Sequence, residues 1–209
     1  MLRVGLTGGL ASGKSTVASL LRERGAAVFD ADRIVRDLYG KDAPGATAAR
    51  EIFGDSVLDG NGEVDRARIA ARVFADPAAR HALEARIHPL VGREIERRFA
   101  EADEAGVPVA VAEASQLLEA KTESRYDRIL LVVAPEAERI RRWEEKGGDP
   151  EDARRRISAQ LAPSQAFDRA ADVLVNDGSL EELGRKVDDL WVRWLEWQVT
   201  GDGSTTPGR

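Results

Sequence analysis

The stretch Leu2-Arg3-Val4-Gly5-Leu6-Thr7-Gly8-Gly9-Leu10-Ala11-Ser12-Gly13-Lys14-Ser15 decides how the rest of this 209-residue chain is read. Leu2 to Leu6 is a short apolar run of strand type that ends in Thr7-Gly8-Gly9. From Ser15 the pattern changes to helical spacing, with Val17, Leu20 and Leu21 on one side and Gly25 as a stop. Between the two lies glycine, any four residues, glycine, lysine and serine. Such glycines let the backbone curl until successive N–H groups point inward at a polyphosphate, and the start of the following helix adds a favourable dipole. Lys14 supplies a mobile cation for the outer phosphates, and the Ser15 hydroxyl is a ligand for Mg²⁺.

Further buried-type runs occur at Ala26 to Phe29, Val107 to Ala112, Arg128 to Val133 and Asp172 to Val175, mostly separated by helical patterns. Continuous apolar strands alternating with helices predict an α/β protein with a parallel sheet covered on both faces, three layers in all. Residues 34 to 105 hold no convincing strand, only amphipathic helical patterns broken at Gly40, Pro44, Gly54, Asp59-Gly60-Asn61-Gly62 and Pro77. That length predicts a helical subdomain inserted into the sheet domain. Residues 139 to 165 form a second helical excursion. Ser179 and Glu182 make a capping box for a final helix to about Val199, and the tail 201 to 209 is expected to be disordered. Trp191, Trp194 and Trp197, three apart on that helix, are expected to pack rather than to stack on bases.

Composition narrows the function. Zero cysteines remove disulfides, thiolate metal sites and cysteine nucleophiles, and fit a reducing, cytoplasmic setting. Thirty-one basic against 37 acidic residues give −6, which argues against nucleic acid as a partner. No apolar run approaches the roughly 18 residues of a membrane span, and no signal peptide is visible. A nucleotide cradle alone serves kinases, GTPases and motor ATPases. The Asn-Lys-x-Asp segment that a GTPase uses to read its base is absent, since Asn61 and Asn176 are followed by Gly62 and Asp177.

Asp30-Ala31-Asp32 closes the second strand, where ligands of such sheets gather. If the strand continued through it, both carboxylates would point to one side. Asp32 is the candidate base for an acceptor hydroxyl held in line with the γ-phosphate. The competing role is N-cap of a helix from Arg33 to Tyr39.

In these residues the chain resembles the dephospho-coenzyme A kinase family, a P-loop kinase family. The likeness is carried by Gly5-Leu6-Thr7-Gly8-Gly9, Ser12-Gly13-Lys14-Ser15, Asp30-Ala31-Asp32, Phe53-Gly54, Asp65-Arg66, Phe74 and His88-Pro89-Leu90-Val91. Glu119, Arg156 with Gln160, and Ala171-Asp172-Val173 ahead of Asn176 and Gly178 extend it to about residue 195. It implies a three-layer fold with a five-stranded parallel sheet, within a single domain of residues 1 to 200. The core would be 1 to 33, 106 to 138 and 166 to 200, the coenzyme A-binding insert about 34 to 105, and the lid about 139 to 165.

The resemblance also implies transfer of the γ-phosphoryl group of ATP to the ribose 3′-hydroxyl of dephospho-coenzyme A, with Mg²⁺; a monomer is expected, with an oligomer left open. ATP would be held by Gly8, Ala11, Ser12, Gly13, Lys14, Ser15 and Thr16 with Arg141, Arg156 and Asn176. The acceptor would meet Thr7, Asp32, His88, Glu113 and Glu119, and Asp32, Lys14 and Arg141 would carry catalysis.

Seven basic residues (Arg139, Arg141, Arg142, Lys146, Arg154, Arg155, Arg156) against five acidic ones make the segment 139 to 156 the place to look for lid cations. A fork-shaped guanidinium can follow charge as it spreads over phosphoryl oxygens. His88-Pro89 has a bland alternative, the end of a helix, and Glu113 and Glu119 could reach either the acceptor or a magnesium-bound water. Two departures from the family pattern stand out: Ala11 where glycine is common, and Ser115-Gln116-Leu117 in place of Pro-Leu-Leu. The same resemblance leaves two rivals: a kinase for a nucleoside monophosphate or sugar acid, and a non-catalytic ATP-binding regulatory module.

Overall fold

The structure is a computed structural model that describes residues 1–161 and 163–200. The expected tail, 201 to 209, lies outside the described residues. Two compact units are present, one formed by Met1–Phe29 with the chain from Glu101 onward, the other by Asp30–Ala100.

The first unit is a five-stranded parallel sheet in the order β2-β3-β1-β4-β5, with β1 Leu2–Gly8, β2 Ala27–Asp30, β3 Val109–Glu113, β4 Arg128–Val133 and β5 Asp172–Val175. All five predicted runs are strands, and β1 extends two residues further, into the glycines. Alternation along the strands builds the two faces. Leu2, Val4 and Leu6 of β1, with Val109, Val111, Leu130, Val132 and Leu174, pack against Val17 and Leu21 of α1 (Lys14–Glu23) and Leu183, Val187, Leu190 and Trp194 of α9 (Leu180–Thr200). The opposite parity, Ile129 and Leu131, meets Leu117, Leu118 and Ala166, the last from α8 (Pro163–Phe167).

Trp194 is buried, with Trp191 and Trp197 half-buried beside it, so the tryptophan stripe is packing. The Ser179 N–H donates to Glu182 Oε2 at 2.7 Å and the Glu182 N–H to Ser179 Oγ at 3.2 Å, which closes the expected capping box. The second helical excursion consists of α6 (Glu136–Glu144), α7 (Pro150–Ser158), whose N-cap is Asp149, and α8.

The second unit is helical: α2 (Ala31–Leu38), α3 (Pro44–Phe53), α4 (Arg66–Ala75) and the first part of α5 (Pro77–Glu104) enclose a core of Ala46, Ala49, Val57, Val64, Ile69, Leu83 and Ile87. Its only extended pairing among the described residues is an isolated antiparallel bridge, Leu58 to Val64, across the Asp59-Gly60-Asn61-Gly62 turn.

Two local expectations are corrected. Pro89 does not end a helix; it sits inside the 28-residue α5. And Asp32 is not an N-cap: the strand stops at Asp30, whose carboxylate accepts the Arg33 N–H at 3.0 Å, so the helix starts at Ala31 with Asp32 in its first turn. The strand alternation that would have paired the two carboxylates therefore does not reach Asp32.

One buried group ties three elements together. Asp172 at the start of β5 is 7% exposed; Arg128 of β4 donates to it at 2.8 and 3.3 Å and Trp194 Nε1 of α9 at 3.0 Å. Removing one partner of such a set strands the others away from water. Asp172→Ala is expected to lower unfolding stability by about 3 kcal/mol and Asp172→Asn by less, measured by urea denaturation. Equal stability of Asp172→Ala and the parent would show that the cluster is not a stabilising unit.

Candidate active site

The turn between β1 and α1 is shaped by residues that tolerate no side chain. Gly8 has φ +156°, and a Cβ there would stand 2.3 Å from the Val132 carbonyl oxygen; Gly13 has φ +99°, and a Cβ there would stand 2.1 Å from Asn176 Nδ2. Gly13 offers no side-chain cap to α1, and no acidic residue occupies that helix's first turn, so its leading N–H groups and dipole face an anion without competition. Lys14 Nζ reaches back to the Gly8 carbonyl at 2.9 Å. Ser12 is buried and its Oγ has no partner among the described residues. The Ser15 hydroxyl donates to Glu113 Oε1, from the last residue of β3, at 3.0 Å.

Asn176, expected at the nucleotide, holds the turn itself. Its Nδ2 donates to the Ser12 carbonyl at 2.8 Å, and its own N–H donates to the Val133 carbonyl at 2.7 Å. Ala11 has φ +53°, so the position where the family commonly carries glycine does take the left-handed conformation.

Beside this turn lies a cavity of about 570 Å³. Thr7, Gly8 and Ser12 line it together with Glu119 and Ser115, apolar Leu118, Leu131 and Phe167, and Arg139 and Gln160 from the lid segment. Thr7 and Glu119, both expected at the acceptor, thus meet in one cavity. Thr16 lies exposed on the first turns of α1.

The lid cations are arranged differently from expectation. Arg141 is paired along its own helix, with Glu138 at 2.8 Å and with Glu145, and is about half-exposed. Those pairs hold the Glu138 carboxyl below its usual range and raise the guanidinium's. The guanidiniums at the turn are those of Arg139, whose Nε donates to the Leu10 carbonyl at 2.7 Å, and Arg142, whose Nη2 donates to the Asn176 carbonyl at 3.1 Å. Burial pushes the Arg139 pKa down. The sequence contains the reason. Glu138, Arg141 and Glu145 stand at i, i+3 and i+7, a self-paired face, whereas Arg139 and Arg142, three apart, share another. Arg156 stacks on Trp143, 5.4 Å from the ring centroid, and pairs with Asp152 at 2.7 Å. In the helical unit, Asp32 and His88 are exposed, and a groove of about 280 Å³ is lined by Glu51, Arg86, Pro89 and Arg93.

Known proteins with this architecture fix the family. The dephospho-CoA kinase family pattern matches residues 2–182. The chain belongs to the dephospho-CoA kinase family. A dephospho-CoA kinase from Frankia casuarinae is 41% identical over 192 residues, covering 91% of this chain and 82% of that one. A crystal structure from Thermus thermophilus superposes with a TM-score of 0.74 at 34% identity, over 91% of this chain and 96% of that one. The dephospho-CoA kinase from Campylobacter jejuni, at 18% identity, shares the fold with a TM-score of 0.62 over 92% and 96% of the two chains. As a member of this family the chain is a phosphotransferase with a P-loop kinase fold.

Arg139, Arg142 and Gln160 are the groups at the turn that the site assignment from sequence did not include. If the guanidinium at the turn is the cation that meets transferring phosphate oxygens, Arg142→Ala lowers kcat for ADP formation by about a hundredfold or more. Arg141→Ala is expected to change it less than about threefold, since exposed pairs of this kind contribute little. Steady-state kinetics of the two variants check this; a larger loss in Arg141→Ala would place the working cation on the other face of α6.

Proposed function

We propose that the chain transfers the γ-phosphoryl group of ATP to the ribose 3′-hydroxyl of dephospho-coenzyme A, giving coenzyme A and ADP, the last step of coenzyme A biosynthesis. The observation that carries this reading is the glycine-shaped turn with open helix N–H groups and the unpartnered Ser12 hydroxyl, in a chain of this family.

ATP phosphates would lie against N–H groups of the turn and of the start of α1, those of Leu10 and Ser12 excepted since they donate to Gln160 Oε1 and the Gly9 carbonyl, with Lys14 turning from the Gly8 carbonyl to the β and γ phosphates. In this reading Gly8, Ala11, Ser12, Gly13, Ser15 and Thr16 form the cradle, Asn176 supports it, and Arg142 joins or replaces Arg141 as the lid cation, with Arg156 nearer the lid's own surface. Mg²⁺ fits the oxygen pair Ser15 Oγ and Glu113 Oε1, 3.0 Å apart: a hydroxyl and a carboxylate suit a hard cation that keeps most of its ligands from phosphates and water. When bound it would neutralise phosphate charge.

Asp32 would accept the proton of the acceptor hydroxyl as its oxygen bonds to the γ-phosphorus and the bond from that phosphorus to the β–γ bridging oxygen breaks, releasing ADP. Thr7, Glu119 and the cavity of about 570 Å³ would take the nucleoside end of the acceptor, a volume suited to such a group, with His88 on the substrate side. Small-molecule partners only, a monomer and a cytoplasmic location complete the proposal. No helix among the described residues is long and apolar enough to cross a membrane.

ADP release measured with Mg-ATP and a panel of dephospho-coenzyme A, nucleoside monophosphates and sugar acids tests it. Acceptor-dependent ADP is expected with dephospho-coenzyme A alone, and turnover with another acceptor in its place would sink the reading. Asp32→Asn is expected to cut kcat about a hundredfold or more with ATP binding kept, whereas Lys14→Ala should damage both. A fully active Asp32→Asn enzyme would leave Asp32 no part in proton transfer.

A further inference from the structure

The apex of the phosphate turn is tied to the lid segment through both main-chain groups of Leu10. Its N–H donates to Gln160 Oε1 at 3.2 Å, its carbonyl accepts from Arg139 Nε at 2.7 Å, and Arg139 Nη2 donates to the same Gln160 oxygen at 2.5 Å. The three groups form a closed set, so moving one disturbs the other two.

Two neighbouring residues show what the set is for. Ala11, directly after Leu10, has φ +53°, which an L-residue with a Cβ adopts at a cost and keeps only where its surroundings over-determine it. Gly9, directly before, is pressed by the same pair: a Cβ there would stand 2.4 Å from Arg139 Nη2 and 2.7 Å from Gln160 Oε1. Gly9 has no left-handed φ of its own to require glycine, so a side chain there would have to displace the ends of the Arg139 and Gln160 side chains.

We infer that Arg139 and Gln160 are positioning residues: from the lid they fix the Leu10 peptide groups, hold Ala11 in its left-handed conformation, and so keep the turn in the phosphate-accepting shape. Nucleotide affinity in this chain then depends on lid side chains that need not touch the nucleotide. A glycine at 11 would adopt the conformation unaided and remove that dependence. The inference rests on the turn being the ATP site, which titration of the parent protein tests separately.

The experiment is calorimetric titration of Mg-ATP, without acceptor, into the full chain and four variants, with thermal unfolding alongside. Gln160→Leu, which keeps bulk but loses the acceptor oxygen, is expected to weaken binding about tenfold, with little change in Tm. Gln160→Glu keeps that oxygen and should bind within about threefold of the parent. In the Ala11→Gly background, adding Gln160→Leu should cost less than about threefold, a rescue that loss of packing would not produce.

Parent-like binding by Gln160→Leu would overturn the inference, as would an undiminished tenfold loss in the Ala11→Gly background. Should Gln160→Leu not fold, Gly9→Ala displaces the pair from the other side and must show the same dependence on residue 11. A parent protein that binds no Mg-ATP would instead refute the site, and this inference with it.

Discussion

Everything chemical in this chain depends on one steric constraint: the backbone must turn at the end of β1 so tightly that its N–H groups converge, and two positions in that turn have no room for a Cβ. At Gly8 the obstacle is the Val132 carbonyl of the neighbouring strand, and at Gly13 it is the Asn176 amide. The first obstacle belongs to β4 of the sheet and the second directly follows β5. β1 lies in the middle of the order β2-β3-β1-β4-β5, and parallel pairing brings the carboxyl ends of its neighbours to the same edge. Glu113 at the end of β3 therefore arrives beside the turn directly, and Asn176 arrives after β5, which pairs in parallel with β1's neighbour β4.

The charge distribution follows the same economy. The chain carries −6 overall and only five lysines, one of them Lys14. Around the turn, the helix start, Lys14, Arg139 and Arg142 concentrate positive potential, while Arg141 spends its charge on Glu138 and Glu145 of its own helix. A protein with a net negative surface can still receive polyanions because fields close to the site outweigh screened distant charges.

The strands were legible because each is a continuous apolar run, a pattern that parallel burial on both faces imposes. The cradle is legible because its glycines are required by sterics that any sequence must obey, and Ala11 stands out in the sequence as a departure where glycine is common. Other features depend on tertiary partners that sequence does not display. Asp30 and Asp32 are equally good caps by type, and only the length of β2 makes Asp30 the one that caps. Pro89 breaks helices by propensity, yet the long α5 passes through it. Arg141 matches the family pattern, while its two acidic partners, Glu138 three positions before it and Glu145 four after it, are in plain view but carry no motif. Gln160 was noted only as part of a resemblance; its bond to Leu10, 150 positions away, has no local signature.

The central claim is that the turn at residues 8 to 16 is a preformed phosphate cradle. Amide NMR of the isotopically labelled chain, titrated with Mg-ATP and no acceptor, tests it most directly, since each N–H reports separately. The largest saturable shifts are expected at the amides of Gly9 to Thr16, at a stoichiometry of one ATP per chain. Shifts centred elsewhere, with those amides unmoved, would contradict it.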